Sequence, residues 1–547
     1  MDIACCTSPT AIQRRLWLVA ALTALGTAAL LLGTSFGLPM VWDEGDAILR
    51  SDGIQRWCKR WWPERQEAIQ PGPLHQAAIA DDWSYTARRE GHPAFYGIVI
   101  AVGRTVSASW LPPLQSARFG PILLFAAATG AMFYRLAKDH STVTATGGVT
   151  ALLLLPRLFA HAHFASFDGP LVSCWILAWA TFAPAMCHWR WAVAWGFALG
   201  MTFSCKATGW LAPLPFLIWA GGYRDRRAGL ALLIGLPAAL LTFYFLNPPL
   251  WHHPIQGLDR FFALNLNRGA QGLNISTQFL GQIYNLDRPL PWYNTLLWTG
   301  ITVPFGILFL FGIGLWHVLR RLWDKPGMLL VANWLILLVV RAIPGTPPHD
   351  GVRLFLPSFA FLAALAGVGT ARGLTACHGR RYAAVVGLVV VFGGSATSLA
   401  WYAPQWLSYY NVLIGGLPGA VAMGMEPTYY WDGLDRDVLD WLHQHTEPGE
   451  KVEFACFPKG NLALMTQWGQ LHSEYRLQSP GRFRWYVLQH RPSAWQPADR
   501  WLSEHATPAY RKLLRRSGWG PWQLSIPLVD VYSYDQFCRA YTATEAP

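Results

Sequence analysis

Asp43, Glu44 and Asp46 fall within four positions in "VWDEGDAILR", directly after the apolar stretch 16–38. Neighbouring carboxylates shift one another's proton affinity, so one can serve as general base while another orients it or binds a metal. The plainer reading is a solvated boundary, because polar residues must follow any membrane span. Four further stretches carry groups of complementary chemistry. In "GHPAFY", His92 and Pro93 open an apolar helix, and Pro is well tolerated in a first turn. In "RLFAHAHFASFDGPL", His161, His163 and Asp168 form an HxH-plus-carboxylate pattern that invites a metal. In "SCKATGW", Lys206 interrupts two apolar runs, where a cation is costly unless it reaches the interface or meets an anion such as a lipid phosphate. In "PHDGVRLFLP", His349 and Arg353 precede another apolar run, and Arg can grip phosphate in a fork. Acids and bases beside phosphate-sized cations describe transfer chemistry on a phospholipid-linked substrate.

The elements that must position these groups are membrane helices. Of 547 residues, 53% are hydrophobic and 14% charged, with a mean hydropathy of +0.23. That balance is a polytopic membrane protein. The 30 Trp and 38 Pro suit interfaces and spans whose neighbours satisfy freed backbone groups. A net charge of +12 resides mainly in short loops between apolar runs, so nucleic acid is not the expected partner. The nine Cys, including Cys174, Cys187 and Cys205, show neither zinc spacing nor a paired framework and read as small buried residues.

Arg14 and Arg15 before the 16–38 run fit an uncleaved signal anchor with its N-terminus inside. Further apolar runs lie near 118–134, 143–160, 169–187, 191–205, 207–222, 228–246, 295–318, 327–343, 353–370 and 382–402, which predicts 11 or 12 spans. Basic loops such as "YRDRR" and "LRRLWDK" belong on the cytoplasmic side, so alternation exports the acidic and histidine-bearing loops. The stretch 92–110 is the exception, since counting it as a full span reverses the side of Asp168. The chain therefore divides into a membrane domain, 1–403, with outer loops at about 39–92 and 247–294, and a C-terminal α/β domain, 404–547. In the latter, "LDRDVLDWLHQH" has helical spacing, while "KVEFACF", "FRWYVLQH" and "LSIPLVDVYSY" read as strands.

The order of these pieces resembles the C-type glycosyltransferases, integral membrane enzymes that include dolichyl-phosphate-mannose protein mannosyltransferases and bacterial aminoarabinose transferases. The resemblance runs through "WDEGD", "HPAFY", "SFDGPL", "SCKATGWLAPLPF", "GQIYNLDRPLPWYNTLLWTGITVPFG", "RLFLPSFAFLAALAG" and "LSYYNVLIGGLPGA". It implies that architecture, a polyprenyl-phosphate-linked sugar as donor, and transfer on the exported face of what is expected to be a bacterial inner membrane. It further implies Asp43 as general base, Glu44 as its neighbour and Asp168 as a second acidic site, with His92, Tyr96, Lys206 and Arg353 around the donor phosphate. Gly91 stands where a Glu precedes the matching motif of the aminoarabinose enzymes, so their metal use is not carried over. A divalent metal stays open, with His161 and His163 its candidate ligands.

The expected step is a direct, inverting displacement at the anomeric carbon. A carboxylate takes the acceptor hydroxyl's proton, and cationic side chains hold the departing phosphate. Phosphate leaves unaided, so the carboxylates are not a hydrolase pair. The acceptor, whether glycan, lipid or protein, is not specified by the sequence. Trp57, Trp61, Trp62 and Trp83 offer stacking faces for sugar or anchors at the interface. The competing readings are a lipid-linked glycan transporter, which would place polar residues along mid-membrane faces, and a degenerate member that only binds glycan or a partner protein.

Overall fold

The computed structural model describes residues 11–62, 71–89, 92–266, 275–376, 381–472, 474–477, 481–514 and 526–545. Gly91 lies outside them. Six described helices are long and apolar enough to cross a membrane: Ala11–Gly37, Pro113–Asp139, Arg226–Leu246, Lys325–Ala342, Gly351–Ala376 and Tyr382–Trp401. Shorter apolar helices include Phe95–Ser107, Thr142–Leu153 and Phe305–Leu319. The chain is thus an integral membrane protein built mainly of helices.

Prolines break several of the expected runs. The run 143–160 forms Thr142–Leu153 and Pro156–His161, with Leu155 extended because a residue before Pro avoids helical geometry. The run 295–318 splits the same way, into Asn294–Thr302 and Phe305–Leu319 around extended Val303 and Pro304. The Leu356–Ala376 helix is the central pillar, buried almost throughout its first four turns. Close approach explains its small residues: a Cβ at Gly369 would lie 1.9 Å from the Leu310 carbonyl oxygen, and one at Gly314 would lie 1.9 Å from that of Leu365. Tyr382–Trp401 is the most peripheral of the long helices, with 6% of its apolar window buried.

The side on which each polar residue emerges follows from connectivity. Asp43 and Asp168 both bond to Arg353, so an even number of crossings separates them. Pro113–Asp139 and the Thr142–Leu153/Pro156–His161 pair supply two. Phe95–Ser107, with 13 residues, has about 20 Å of rise, shorter than a hydrocarbon core of about 30 Å.

Beyond Trp401, residues 404–432 form a strap that packs back on the membrane helices. Asn411 donates through Nδ2 to the carbonyls of Gly300 (2.6 Å) and Val303 (2.7 Å), and its own N–H donates to the Ile301 carbonyl at 2.8 Å. The strap leads to Arg436–His445 and a five-stranded sheet, in the spatial order Glu474–Leu477, Lys451–Phe454, Trp485–Gln489, Pro527–Ser533, Tyr510–Leu513. The first three strands run parallel; Pro527–Ser533 runs antiparallel to both of its neighbours. The expected helix and all three expected strands occur in this α/β unit. The 247–294 loop contributes the Pro254–Leu266 helix and a hairpin, Thr277–Phe279 with Gln282–Tyr284.

Candidate functional site

Arg353 is the hub. It opens the central pillar within a short 3-10 turn, Gly351–Phe355. Its guanidinium reaches three carboxylates: Nε donates to Asp168 Oδ2 at 2.5 Å, Nη1 to Asp350 Oδ2 at 2.5 Å, and Nη2 to Asp43 Oδ2. A planar fork is the side chain suited to such a junction. Lys206, extended at the break between Trp189–Phe203 and Ala207–Leu211, donates to Asp168 Oδ1 at 2.8 Å. Asp168 begins the Asp168–Ala185 helix, where an anion is also favoured by the helix dipole. Both of its oxygens are therefore engaged by cations, and it is fully buried.

Asp43 differs. Although it precedes the Glu44–Trp61 helix at the position where Asp ordinarily caps, its side chain makes no capping bond. It turns instead to Arg353 and to Tyr430, whose hydroxyl donates to Oδ2 at 2.7 Å. These two contacts share one oxygen, and the side chain is 21% exposed, against 0% for Asp168 and 7% for Asp350. Its setting deep between helices and strap pushes the Asp43 carboxyl above the usual carboxylate range; Arg353 and Tyr430 pull it back without cancelling the effect, and Asp168 and Asp350 add to it. Burial also acts on Asp350, but Arg353, His349 and Arg491 outweigh it and hold that carboxyl below its ordinary value. Of these two, Asp43 is the carboxylate whose proton affinity its surroundings raise.

Phe167, not singled out in the sequence, lies under the cations. Its ring centroid is 4.5 Å from Lys206 Nζ and 4.8 Å from Arg353 Cζ, distances at which a ring face attracts a cation. The rings of His92 and Tyr96 pack on it at 4.7 and 5.5 Å. Tyr96 also faces the Arg50 guanidinium at 4.8 Å, and Arg50 donates to the His92 carbonyl at 3.1 Å. Asp43, Asp168, Lys206 and Arg353 thus meet directly, with His92 and Tyr96 one ring away.

Glu44 belongs to a separate structure. Its Oε1 accepts from Arg118 Nε (2.8 Å) and the Ala165 N–H (2.9 Å), and its Oε2 accepts from Arg118 Nη2 (2.7 Å) and the Val41 N–H (3.0 Å). Arg118 also donates to the carbonyls of Ser35, Leu38 and Pro39. Both side chains are fully buried. Glu44 is a fastener for the first-span exit, which corrects its expected place beside the base.

The metal pattern fares similarly. His163 donates through Nδ1 to the Phe159 carbonyl at 2.7 Å, while Nε2 sits 2.8 Å from the Thr34 hydroxyl and the ring stacks on Trp406. With both nitrogens committed, His163 is not a ligand, and His161 packs instead against Tyr430 and Phe164. Among the described residues no three His, Cys, Asp or Glu side chains gather to hold an ion. The oxygens of Asp168 and Glu44 already serve Lys206, Arg353 and Arg118, which leaves His161 Nδ1, buried without a hydrogen-bond partner among the described residues, as the one open donor of this set, and a single nitrogen does not hold a divalent metal. Of the first-loop tryptophans, Trp83 is buried and packs on Trp57, whereas Trp61 and Trp62 are exposed at the end of their helix, as interfacial anchors are.

A cavity of about 280 Å³ opens beside Pro93 and Asn247. Its lining combines His252, His253 and Arg260 with Phe243, Phe261 and Leu264. Asn247 ties it to the site's scaffold, accepting from the Ala94 N–H (2.9 Å) and donating to Ser204 Oγ (3.1 Å).

No family model matches the chain, and no curated protein sequence matches it either. Solved structures do. ArnT from Cupriavidus metallidurans in the apo state aligns with a TM-score of 0.52 at 14% identity, covering 94% of this chain and 98% of ArnT. The same protein bound to undecaprenyl phosphate gives 0.48 at 14% identity, covering 94% and 98%. The Archaeoglobus fulgidus oligosaccharyltransferase in complex with Zn and sulfate gives 0.47 at 13% identity, covering 87% of this chain and 68% of that one. The fold is similar to that of ArnT over nearly the whole of both chains, with a sheet-containing C-terminal region.

Proposed function

We propose that this chain is a membrane glycosyltransferase that moves a sugar from a polyprenyl-phosphate-linked donor to an acceptor glycan, lipid or protein, on the exported face of a bacterial inner membrane. Residues 1–403 form the transferase unit and residues 404–547 the exported C-terminal unit. The single observation that carries the reading is Asp43: a partly open carboxylate of raised proton affinity, bonded through one oxygen to a cationic hub at the ends of the membrane helices. The ArnT-like fold supports it.

In the proposed step the acceptor hydroxyl oxygen forms its bond to the anomeric carbon on the face opposite the phosphate. The bond from that carbon to the phosphate oxygen breaks, its electron pair leaves with polyprenyl phosphate, and the hydroxyl proton passes to Asp43. Lys206 and Arg353, bridged by Asp168, provide positive charge where the phosphate charge develops. Asp168 is a positioning carboxylate for both cations. The cavity bearing His252, His253 and Arg260 has the mixed character that a phosphate with an apolar tail requires, and it adjoins the segment carrying His92.

The test is mass spectrometry of envelope lipids, glycans and proteins from cells with and without the chain. One hexose- or pentose-sized increment should vanish with the chain and return with the wild-type protein but not with Asp43→Asn. An envelope identical in both cells refutes the reading.

A further inference from the structure

The C-terminal unit reaches into the membrane site through residues 429–431, and three successive contacts fix that segment. Arg491, on the loop after the Trp485–Gln489 strand, donates through Nη1 to the Tyr429 carbonyl at 2.7 Å. The Trp42 N–H donates to the Tyr430 carbonyl at 3.3 Å. The Trp431 ring is enclosed between the Trp42 ring, 4.0 Å away, and the Arg491 guanidinium, 3.7 Å away. Trp431 has φ of +55°, a left-handed backbone conformation that a bulky residue adopts only when its surroundings impose it. This kink carries Tyr430 inward, where its hydroxyl meets Asp43 Oδ2 and its ring covers the Arg353 guanidinium at 4.3 Å. Arg491 is itself buried and reaches Asp350 Oδ1 at 3.2 Å, so it joins the same hub from the other side.

We infer that Tyr430 is a positioning residue for Asp43 and that Arg491 is its anchor: the C-terminal unit, through these two side chains, sets the orientation and proton affinity of the base that the membrane helices present. The inference rests on the reading of Asp43 as that base. Arg353 and Tyr430 together occupy Oδ2, which directs the acceptor's proton to Oδ1. Burial pushes the Tyr430 hydroxyl well above its ordinary value, so it stays protonated and remains a donor. The charged groups facing Asp43 come from each packed element: Arg353 and Asp350 from the start of the central pillar, Asp168 from its helix, with Lys206 and His161 behind Asp168. Among the described residues, the C-terminal unit contributes Tyr430 directly at Asp43 and Arg491 through Asp350.

A hydrogen bond to an ionised carboxylate favours its charged form, so deleting it raises the midpoint at which the carboxylate takes up a proton. The experiment uses the full-length chain in lipid nanodiscs and dicyclohexylcarbodiimide, which labels protonated carboxyls in apolar surroundings. Labelling of the Asp43 peptide, followed by mass spectrometry against pH with Asp43→Asn as blank, gives the midpoint. Tyr430→Phe, which keeps the ring over Arg353, should raise it by about one unit or more. Arg491→Lys, which keeps the charge but loses the planar stack and fork, should raise it by a smaller amount. A midpoint unchanged or lowered in either folded variant overturns the inference, since a merely structural contact would reduce protein yield without moving it. The readout needs no turnover: sugar transfer retained by Asp43→Asn would remove the assigned function, while the midpoint shift would still report the Tyr430 contact.

Discussion

Asp43 and Glu44 are consecutive in the chain and sit in opposite surroundings. Glu44 has four donors on its two oxygens and no exposure; Asp43 has two donors on one oxygen and about a fifth of its side chain open. A carboxylate whose acceptor capacity is filled by its own protein is structural, because any new partner must displace an existing one. A carboxylate held by one oxygen and lifted by burial keeps the other for a proton. The helix beginning at Glu44 produces the divergence, sending adjacent side chains to different sides of one turn: Glu44 toward Arg118 in the membrane bundle, Asp43 toward Arg353 and the strap.

The sharpest way to break this comparison is substitution of each acid by its amide. Under the proposed function Asp43→Asn removes the general base and should lower turnover by about 10²–10⁴-fold, the usual scale of such catalysis, while thermal unfolding in detergent stays near wild type. Glu44→Gln leaves Arg118 buried without its counter-charge and should cost about 3–5 kcal/mol of stability. Thermal melts followed by size exclusion should show that loss, with turnover per folded molecule largely kept. Gly45→Ala probes the join between the two regions, because a Cβ there would lie 2.2 Å from Asn461 Oδ1 in the Lys459–Gln467 helix. Asn461 accepts from the Gly45 N–H and donates to the Val41 carbonyl, so overpacking should cost about 1–3 kcal/mol, read in the same melts.

The pH dependence separates the two acids more gently. The proposed base, Asp43, would act only when ionised, and burial raises its proton affinity, so turnover should be full at alkaline pH and fall with acidification along a limb above the ordinary Asp range. A profile of turnover against pH, corrected for folded protein, checks the direction. The smallest expected effect is that of chelation. Since Arg118, Arg353 and Lys206 already occupy the oxygens of Glu44 and Asp168, dialysis against EDTA should leave turnover unchanged, and a loss restored by added metal would show that the site recruits an ion despite its donor set.

Much of the site was legible because membrane chains place charge sparingly. Lys206 was marked by the cost of a cation between two apolar runs, Asp168 by its place after the HxH pair, and Arg353 as a fork at the entrance to an apolar run. The central pillar and three of the five C-terminal strands were legible from apolar runs and alternation, while Glu474–Leu477 and Tyr510–Leu513 were not. Glu44 was misplaced because its partner, Arg118, opens the 118–134 run and looks like an ordinary flanking charge. Tyr430, Trp431 and Phe167 were hidden among 30 Trp, 19 Tyr and 28 Phe, and nothing in their local spacing separates a hub-facing ring from a packing one. Arg491 lies 138 positions after Arg353 along the chain, and only the folded strap brings them to a shared carboxylate. The HxH pattern misled because spacing cannot show that Thr34 and Phe159 already hold His163.

The most direct test of the account is turnover per folded molecule in Asp43→Asn and Glu44→Gln, measured side by side in nanodiscs on the sugar increment that envelope mass spectrometry identifies. The account predicts a folded, inactive Asp43→Asn and a less stable Glu44→Gln whose folded fraction still transfers sugar. Transfer retained by folded Asp43→Asn, or lost by folded Glu44→Gln, would contradict it.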